Sequence, residues 1–399
     1  MEQSFLILGS NPSISFAEIF QFLGRNQAIL PLCGPNAVIV DDALLGKSAP
    51  LFLGGIPKSG AIIKDGAGFN ASSLAVILET YIVPNQKFHF GLSWYTISGQ
   101  GLSRERLKAL GLEIKKILKQ KGVSVRLVES GSGNLSSVDV VKNKLLDKGV
   151  ELCIFAANGK YLIGKTQAVQ PFEAYSERDY GRPGRNAAAG MLPPKLARAM
   201  INLSGVPKES LILDPFCGVG TVLQEALLLG HRAIGTDIDE GAIRDTKKNI
   251  EWLIAEQNKE LTLPRIEMAD VRTLDQSIEK ESIDAIVAEV DLGPPLQGDE
   301  SEAKVLSIER SLSAFYADAL ASMGSVLKPK GRAVIAWPYF KEHGLFVSAF
   351  DSLADLGWKF VEPYPSQFQT AYPLSKRGTL RYGREGQHVF REILILEKK

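Results

Sequence analysis

From residue 191 onward, short apolar runs alternate with longer stretches of helical spacing. The runs at 210–213, 232–236, 264–268, 283–288 and 331–336 predict strands. Between them, 192–203, 221–229, 240–257 and 301–326 predict helices. The first is opened by Pro193-Pro194, since proline suits a first helical turn. The stretch 380–396 predicts a hairpin turning at Arg384-Glu-Gly386. Parallel strands joined by crossover helices, closed by an antiparallel hairpin, imply an α/β domain over 191–399.

The pattern before residue 191 is different. Residues 1–60 predict β-α-β-β, with strands at 5–8, 28–30 and 37–40 and a helix capped by Ser15, with Glu18 three residues on. That order suits a small ferredoxin-like element. Residues 61–165 predict a helix at 72–81, a strand at 88–95 and a Lys-rich helix at 103–121. They continue with a strand at 123–128, a helix at 137–146 and a hairpin around Ala156-Ala-Asn-Gly159. Residues 166–190 predict a linker, in which Arg182-Pro-Gly-Arg185 forms a stiff, forked cation pair suited to phosphate or carboxylate.

The candidate chemistry sits at strand ends. Asp214-Pro-Phe-Cys-Gly-Val-Gly-Thr221 reads as strand, tight turn, helix. Gly218 and Gly220 remove Cβ atoms that would bar positive φ or close backbone approach to a ligand. The later spacing is not a dinucleotide fingerprint, and the missing Lys-Ser/Thr excludes a P-loop. Asp237 closes the second strand, 23 residues after Asp214, where a carboxylate accepts ribose hydroxyls. Asp270 closes a third strand. Three acidic strand ends point to an adenosine-type ligand without a phosphate, and S-adenosylmethionine fits that description.

Composition adds an asymmetry. The net charge is +1, yet residues 61–165 hold 15 Lys and Arg against 8 Asp and Glu, whereas 191–399 hold 25 against 30. A basic module beside a slightly acidic one suits an enzyme that grips nucleic acid with one part and modifies it with the other. At 399 residues two or three domains are expected. No apolar run reaches the ~18 residues of a membrane span, and the start is acidic, so neither membrane nor signal peptide is expected. Three scattered cysteines suit a reducing cytoplasm and form no metal site.

The motif Asp214–Thr221, followed by Gly235-Thr-Asp-Ile-Asp239, resembles the methylase domain of the THUMP-containing tRNA guanine-N2 methyltransferases. The likeness extends upstream to Arg178-Asp-Tyr-Gly-Arg-Pro-Gly-Arg-Asn-Ala187 and Gly190-Met-Leu-Pro-Pro-Lys-Leu-Ala197. It implies a Rossmann-like seven-stranded class I methyltransferase domain preceded by an α+β ferredoxin-like and THUMP region. It implies S-adenosylmethionine bound by Asp214, Pro215, Phe216, Cys217, Gly218, Gly220, Thr221, Asp237, Ile238, Asp270 and Val271. It implies RNA, above all tRNA, held by Lys142, Asn143, Lys144, Arg182 and Arg185. A small activating subunit is a further possibility the resemblance leaves open. Where this chain has Gly184, the family usually has alanine.

The chain departs from the family at the acceptor motif. Amino methylases follow their fourth strand with Asp/Asn-Pro-Pro-Tyr/Phe, which accepts the amine's N–H bonds and stacks on the base. Here the sequence is Glu289-Val-Asp-Leu-Gly293. Glu289 occupies the slot of the acid, Val290 and Asp291 replace the prolines, and Leu292 replaces the ring. Glu289 and Asp291 are the candidate catalytic residues, and Phe216, Trp337 or Tyr339 the candidate replacement rings. Cys217 has no nearby histidine to make it a nucleophile. Three readings follow: N2 methylation of a tRNA guanosine, amino methylation of ribosomal RNA or DNA, and donor and RNA binding without catalysis.

Overall fold

The structure, a computed structural model, describes residues 3–24, 32–41, 43–131, 133–185, 191–257 and 261–399. The strand expected at 28–30 lies outside the described residues, as do Ala187 and Gly190 of the upstream motif. The chain packs as two compact units, residues 1–16 with 25–174 and residues 17–24 with 175–399.

The first unit begins β1 (Ser4–Ile7), α1 (Pro12–Phe22), β2 (Leu32–Cys33), β3 (Ala37–Val40), α2 (Ala43–Phe52), β4 (Lys58–Gly66) and α3 (Ala71–Glu79). It continues β5 (Phe88–Thr96), α4 (Arg104–Gln120), β6 (Val125–Val128), α5 (Ser137–Lys142), β7 (Gly149–Ala157) and β8 (Lys160–Val169). One eight-stranded sheet runs β2-β3-β1-β4-β8-β7-β5-β6. The boundary expected at residue 60 therefore falls inside β4, which pairs with β1 on one side and β8 on the other. Ser15 is not a cap either. Helix α1 starts at Pro12, and the Ser15 hydroxyl donates to the carbonyl of Gly55 at 2.8 Å.

Strands β5, β6 and β7 are parallel, so each connection needs a crossover, supplied by α4 and α5. Helix α4 is capped by Ser103, whose side chain accepts from the Arg106 amide, and it buries Leu107, Gly111, Ile114 and Leu118 along one stripe. Asn158 and Gly159 link β7 to β8 with φ of 50° and 75°, the two positive values a tight two-residue hairpin requires.

A buried ion pair crosses this sheet. Lys58 on β4 donates to Glu151 on β7 at 2.6 Å, and both are essentially inaccessible. Lys58 also donates to the Leu135 carbonyl, while Ser93 of β5 and Thr166 of β8 donate to Glu151. Burial opposes the charge on Lys58, but the adjacent carboxylate outweighs it and holds the ammonium above its ordinary range. Removing one partner strands the other in a dry site. Glu151→Ala is expected to cost about 3–5 kcal/mol, and Lys58→Met/Glu151→Leu together much less. Urea unfolding of the three proteins checks this ordering.

The second unit continues with α6 (Phe172–Ser176), α7 (Pro194–Ser204), β9 (Leu211–Asp214), α8 (Thr221–Leu228), β10 (Arg232–Asp237), α9 (Glu240–Gln257), β11 (Arg265–Met268) and β12 (Ile283–Glu289). It ends with α10 (Glu302–Val326), β13 (Leu327–Phe340), β14 (Leu345–Phe346), β15 (Trp358–Phe360), β16 (Leu380–Tyr382) and β17 (Val389–Lys398). Helix α1 straddles the division between the units at residue 16, and α6 at residue 174. The second sheet runs β11-β10-β9-β12-β13-β17-β15, with β14 and β16 attached at its side. All neighbours are parallel from β11 to β13, and β17 inserts antiparallel between β13 and β15. This is the Rossmann-like class I methyltransferase order that the sequence led us to expect.

The chain order reverses at β9, with β10 and β11 on one side and β12 and β13 on the other. Ligands in such sheets bind outside the carboxyl ends of the strands at that switch. Residues 175–185, expected as a tether, instead pack into this unit. Arg178 donates to Glu225 of α8 at 2.6 Å, and the Gly184 amide donates to Asn249 of α9 at 2.7 Å.

Candidate functional site

The turn after β9 is held by hydrogen bonds from three directions. The Phe216 amide donates to the Asp214 carboxylate, and the Cys217 amide to the Thr236 carbonyl at 2.9 Å. The Gly218 amide donates to Asp237 Oδ2 at 2.9 Å, and the Asp239 amide to Oδ1 of the same carboxylate. From α9, Thr246 donates to the Gly218 carbonyl at 2.7 Å and Asn249 to that of Val219 at 2.8 Å. Gly218 and Gly220 have φ of 51° and 82°. A Cβ on Gly220 would meet Thr246 at 2.9 Å, whereas one on Gly218 would come no nearer to any atom than 3.9 Å, from the Phe216 carbonyl. The first glycine leaves room for a ligand, and the second lets α8 start against α9.

A cavity of about 750 Å³ opens at these strand ends, within the ~300–1,000 Å³ of small-molecule sites. Asp214, Phe216, Cys217, Gly218, Thr221, Asp237 and Ile238 line it, as do Glu289, Asp291 and Arg185. Pro215 is buried beneath the turn, and Gly220 is the packing contact just described. Asp270 and Val271 do not line this cavity. Asp270 pairs with Arg272, whose side chain and amide hold its carboxyl below the usual range, and Val271 is core.

Six carboxylates line the cavity (Asp214, Asp237, Asp239, Asp245, Glu289 and Asp291), with Arg185 the one cation among the lining residues. Burial first, then the nearby Asp237 and Glu289 charges, pushes the Asp214 carboxyl well up. Such a wall favours a cationic ligand. S-adenosylmethionine, with a sulfonium and an ammonium, fits it. Asp237 spends one lone pair per oxygen on the backbone and keeps others for hydroxyl donors. Burial also pushes the Cys217 thiol up, which leaves it a poor nucleophile.

At the end of β12, Glu289 accepts from Arg391 Nε of β17, and both side chains are largely buried. Burial raises the Glu289 carboxyl while Arg391 pulls it down, with a net rise. The Asp291 side chain accepts from the Gly293 amide at 2.9 Å, and its carbonyl accepts from the Tyr316 hydroxyl. Of the candidate rings, Phe216 lines the cavity. Trp337 is core, stacked on Tyr316 and donating to Glu392 at 2.7 Å, and Tyr339 packs on Phe346. A second cavity ring, Phe315 of α10, meets Phe216 edge-on at 6.0 Å between centroids.

The expected RNA contacts divide. Lys142 and Lys144 are exposed, while the Asn143 side chain donates to the Asp139 carbonyl of its own helix. Arg182 is a correction: it is 2% exposed and donates to the Thr221 hydroxyl at 2.7 Å, out of reach of a surface phosphate. The Gly184 departure also has a cause, since an alanine Cβ there would meet Asp245 at 2.8 Å. Sequence reading missed Thr246, Asn249, Phe315 and Arg391. The first two lie three apart on one helix, a spacing that could have exposed them. Arg391 carries no local signal. Among the described residues no group of three or more His, Cys, Asp or Glu is placed to hold a metal, and no helix is long and apolar enough to cross a membrane.

Comparison with known proteins finds two family models that include the donor turn. Residues 182–356 match a family model described as an RMKL-like methyltransferase domain, and residues 105–248 match one for a DNA methylase. Curated relatives match as well. The chain is 33% identical over 210 residues to the tRNA (guanine(10)-N2)-dimethyltransferase of Methanothermobacter thermautotrophicus, covering 52% of this chain and 54% of that protein. It is 36% identical over 152 residues to that of Methanocaldococcus jannaschii, covering 37% and 38%. The chain thus spans about half the length of the first of these two relatives and less of the second. The crystal structure of TrmN from Thermus thermophilus superposes over the full length of both chains with a TM-score of 0.55 at 16% identity, which shows the common fold.

The left-handed Gly220 sets the start of α8 in this α/β domain. Gly220→Ala is expected to destabilise it by at least ~1–2 kcal/mol from the backbone alone. Thermal unfolding with and without S-adenosylhomocysteine measures the loss.

Proposed function

We propose that the protein is an S-adenosylmethionine-dependent RNA methyltransferase acting on the exocyclic N2 of a guanosine in tRNA. One observation carries this reading: the acidic donor cavity at the β9–β10 strand ends is continuous with the Glu289–Gly293 loop, so donor and acceptor groups share one wall. The relatives named above, both tRNA (guanine(10)-N2)-dimethyltransferases, support the same substrate. In this reading Asp237 takes the ribose hydroxyls and the Gly218 turn the methionine portion, while Ile238, which is 67% exposed, offers an apolar face to the adenine. The donor supplies the methyl group.

The guanine amine is a poor nucleophile because its lone pair is delocalised into the ring. An acceptor for its N–H bonds localises that pair. Glu289, kept ionised beside Arg391, is the acceptor, with backbone carbonyls of the following loop as partners. Phe216 and Phe315 supply the ring surface that the motif lacks, and stacking on such rings is worth ~1–3 kcal/mol per base. The exposed Lys142 and Lys144 contribute phosphate contacts.

Transfer of labelled methyl groups to unmodified tRNA and, separately, to ribosomal RNA tests the reading. Label in N2-methylguanosine from tRNA is expected, and label in any other nucleoside overturns it. Asp237→Ala is expected to weaken donor binding at least tenfold, measured calorimetrically with S-adenosylhomocysteine.

Glu289 must be ionised to accept, and its carboxyl is raised. Transfer is therefore expected to fall as the pH drops through a midpoint above the ~4.3 of free glutamate. Arg391→Met removes the charge that opposes burial, so the midpoint should move further up, and Arg391→Lys should move it partly back. A pH–rate profile that does not respond to Arg391 would rule out this role for the pair.

A further inference from the structure

We propose that Tyr180, Arg185, Tyr382 and Arg384 form a rim that receives single-stranded nucleotides flanking the target base. The proposal rests on the RNA-methyltransferase reading and adds the surface by which the substrate is opened at the cavity.

Two segments about two hundred residues apart in sequence reach this one cavity. From the first, Arg185 lines the cavity and its guanidinium lies 5.6 Å from the centroid of the Tyr180 ring. From the β16–β17 hairpin, Arg384 places Nε and a terminal nitrogen 3.4 and 3.3 Å from the Tyr382 hydroxyl. Arg391 lies 6.0 Å from the Tyr382 ring and bonds Glu289 in the cavity wall. The two segments also sense each other electrostatically, since the Arg384 charge is favoured by Tyr382 first and then by Tyr180 and Asp179. One set of contacts leads out from Glu289 through Arg391 to Tyr382 and Arg384, and the other from Arg185 to Tyr180.

Burial separates this rim from the core aromatics. Tyr180 is 60% exposed, whereas Trp337 and Tyr316 are 1% exposed. An accessible ring beneath an arginine is a surface on which an unstacked base lies. The charge has a sense too. The cavity is acidic and repels phosphate, so the cations available to a backbone are Arg185 in its lining and Arg384, which is not among the lining residues. Asp179 and Glu385 on the same segments keep the rim from being broadly basic, which leaves the rings to carry much of the contact. A base delivered to the cavity leaves its stack, and its neighbours lose their partners. The rim rings replace them.

The test uses the full chain and a fluorescein-labelled single-stranded RNA of about ten nucleotides, within the span such surfaces cover. Anisotropy is recorded across a range of salt. Tyr180→Ala is expected to weaken binding about tenfold. Arg384→Ala is expected to reduce the slope of log affinity against log salt by about 0.7, the share of one phosphate contact on a single strand. Unchanged calorimetric binding of S-adenosylhomocysteine verifies that the variants fold. Affinity within twofold of the parent in Tyr180→Ala, with an unchanged slope in Arg384→Ala, overturns the proposal. The two readings fail separately. Parent protein that methylates no RNA but loses oligonucleotide binding in the variants sinks the methyl-transfer reading and keeps the rim. Normal transfer with unaltered variants does the reverse.

Discussion

The carboxylate of Asp237 couples the two strand ends on which the site depends. One oxygen accepts the amide of Gly218 from the turn after β9, and the other accepts the amide of Asp239 just beyond β10. A single side chain thus fixes how the first turn lies against the second strand. Thr246 and Asn249 complete the hold from α9 by capping the carbonyls of Gly218 and Val219. The turn is consequently locked on its inner side, while the Cβ side of Gly218 is open. Preorganisation of this kind lets a ligand bind without first ordering the loop.

A second constraint anchors the helix that follows. Glu225 of α8 is fully buried and accepts from Arg178 and Arg198, which lie on opposite sides of the 186–190 stretch in sequence. Tyr175 lies under both guanidinium groups, at 4.6 and 5.4 Å. A carboxylate with two guanidinium partners balances charge that burial would otherwise make costly. The segment bearing Arg182 and Arg185 is thereby fastened to the donor turn.

Much of this was legible in the sequence because it is local. Strand, Gly-x-Gly turn and helix are written in adjacent residues, and acidic strand ends can be counted along the chain. The parallel order followed from alternating apolar runs and helical stretches. What could not be read depends on contacts between distant segments. Arg391 pairs with Glu289 across 102 positions of sequence, and nothing near either residue announces it. Arg182 looked like a surface cation because a Pro-Gly pair follows it, yet packing buried it against Thr221. The 345–379 region escaped for another reason. Its strands are two and three residues long, too short for any periodicity to show. The boundary drawn at residue 60 failed because a change of sequence character does not end a sheet.

The place of β17 in the second sheet bears on how the domain comes into being. It is made from residues 389–398, yet it lies between β13 and β15 and pairs with both. During synthesis, β9 to β13 and their helices emerge with everything needed to assemble the donor turn. The edge of β13 then waits unpaired, and Glu289 has no guanidinium beside it. Only when β17 slides into the gap does Arg391 arrive at Glu289. The domain is thereby ordered in time: the donor half can form first, and the acceptor group acquires its counter-charge when the sheet is closed.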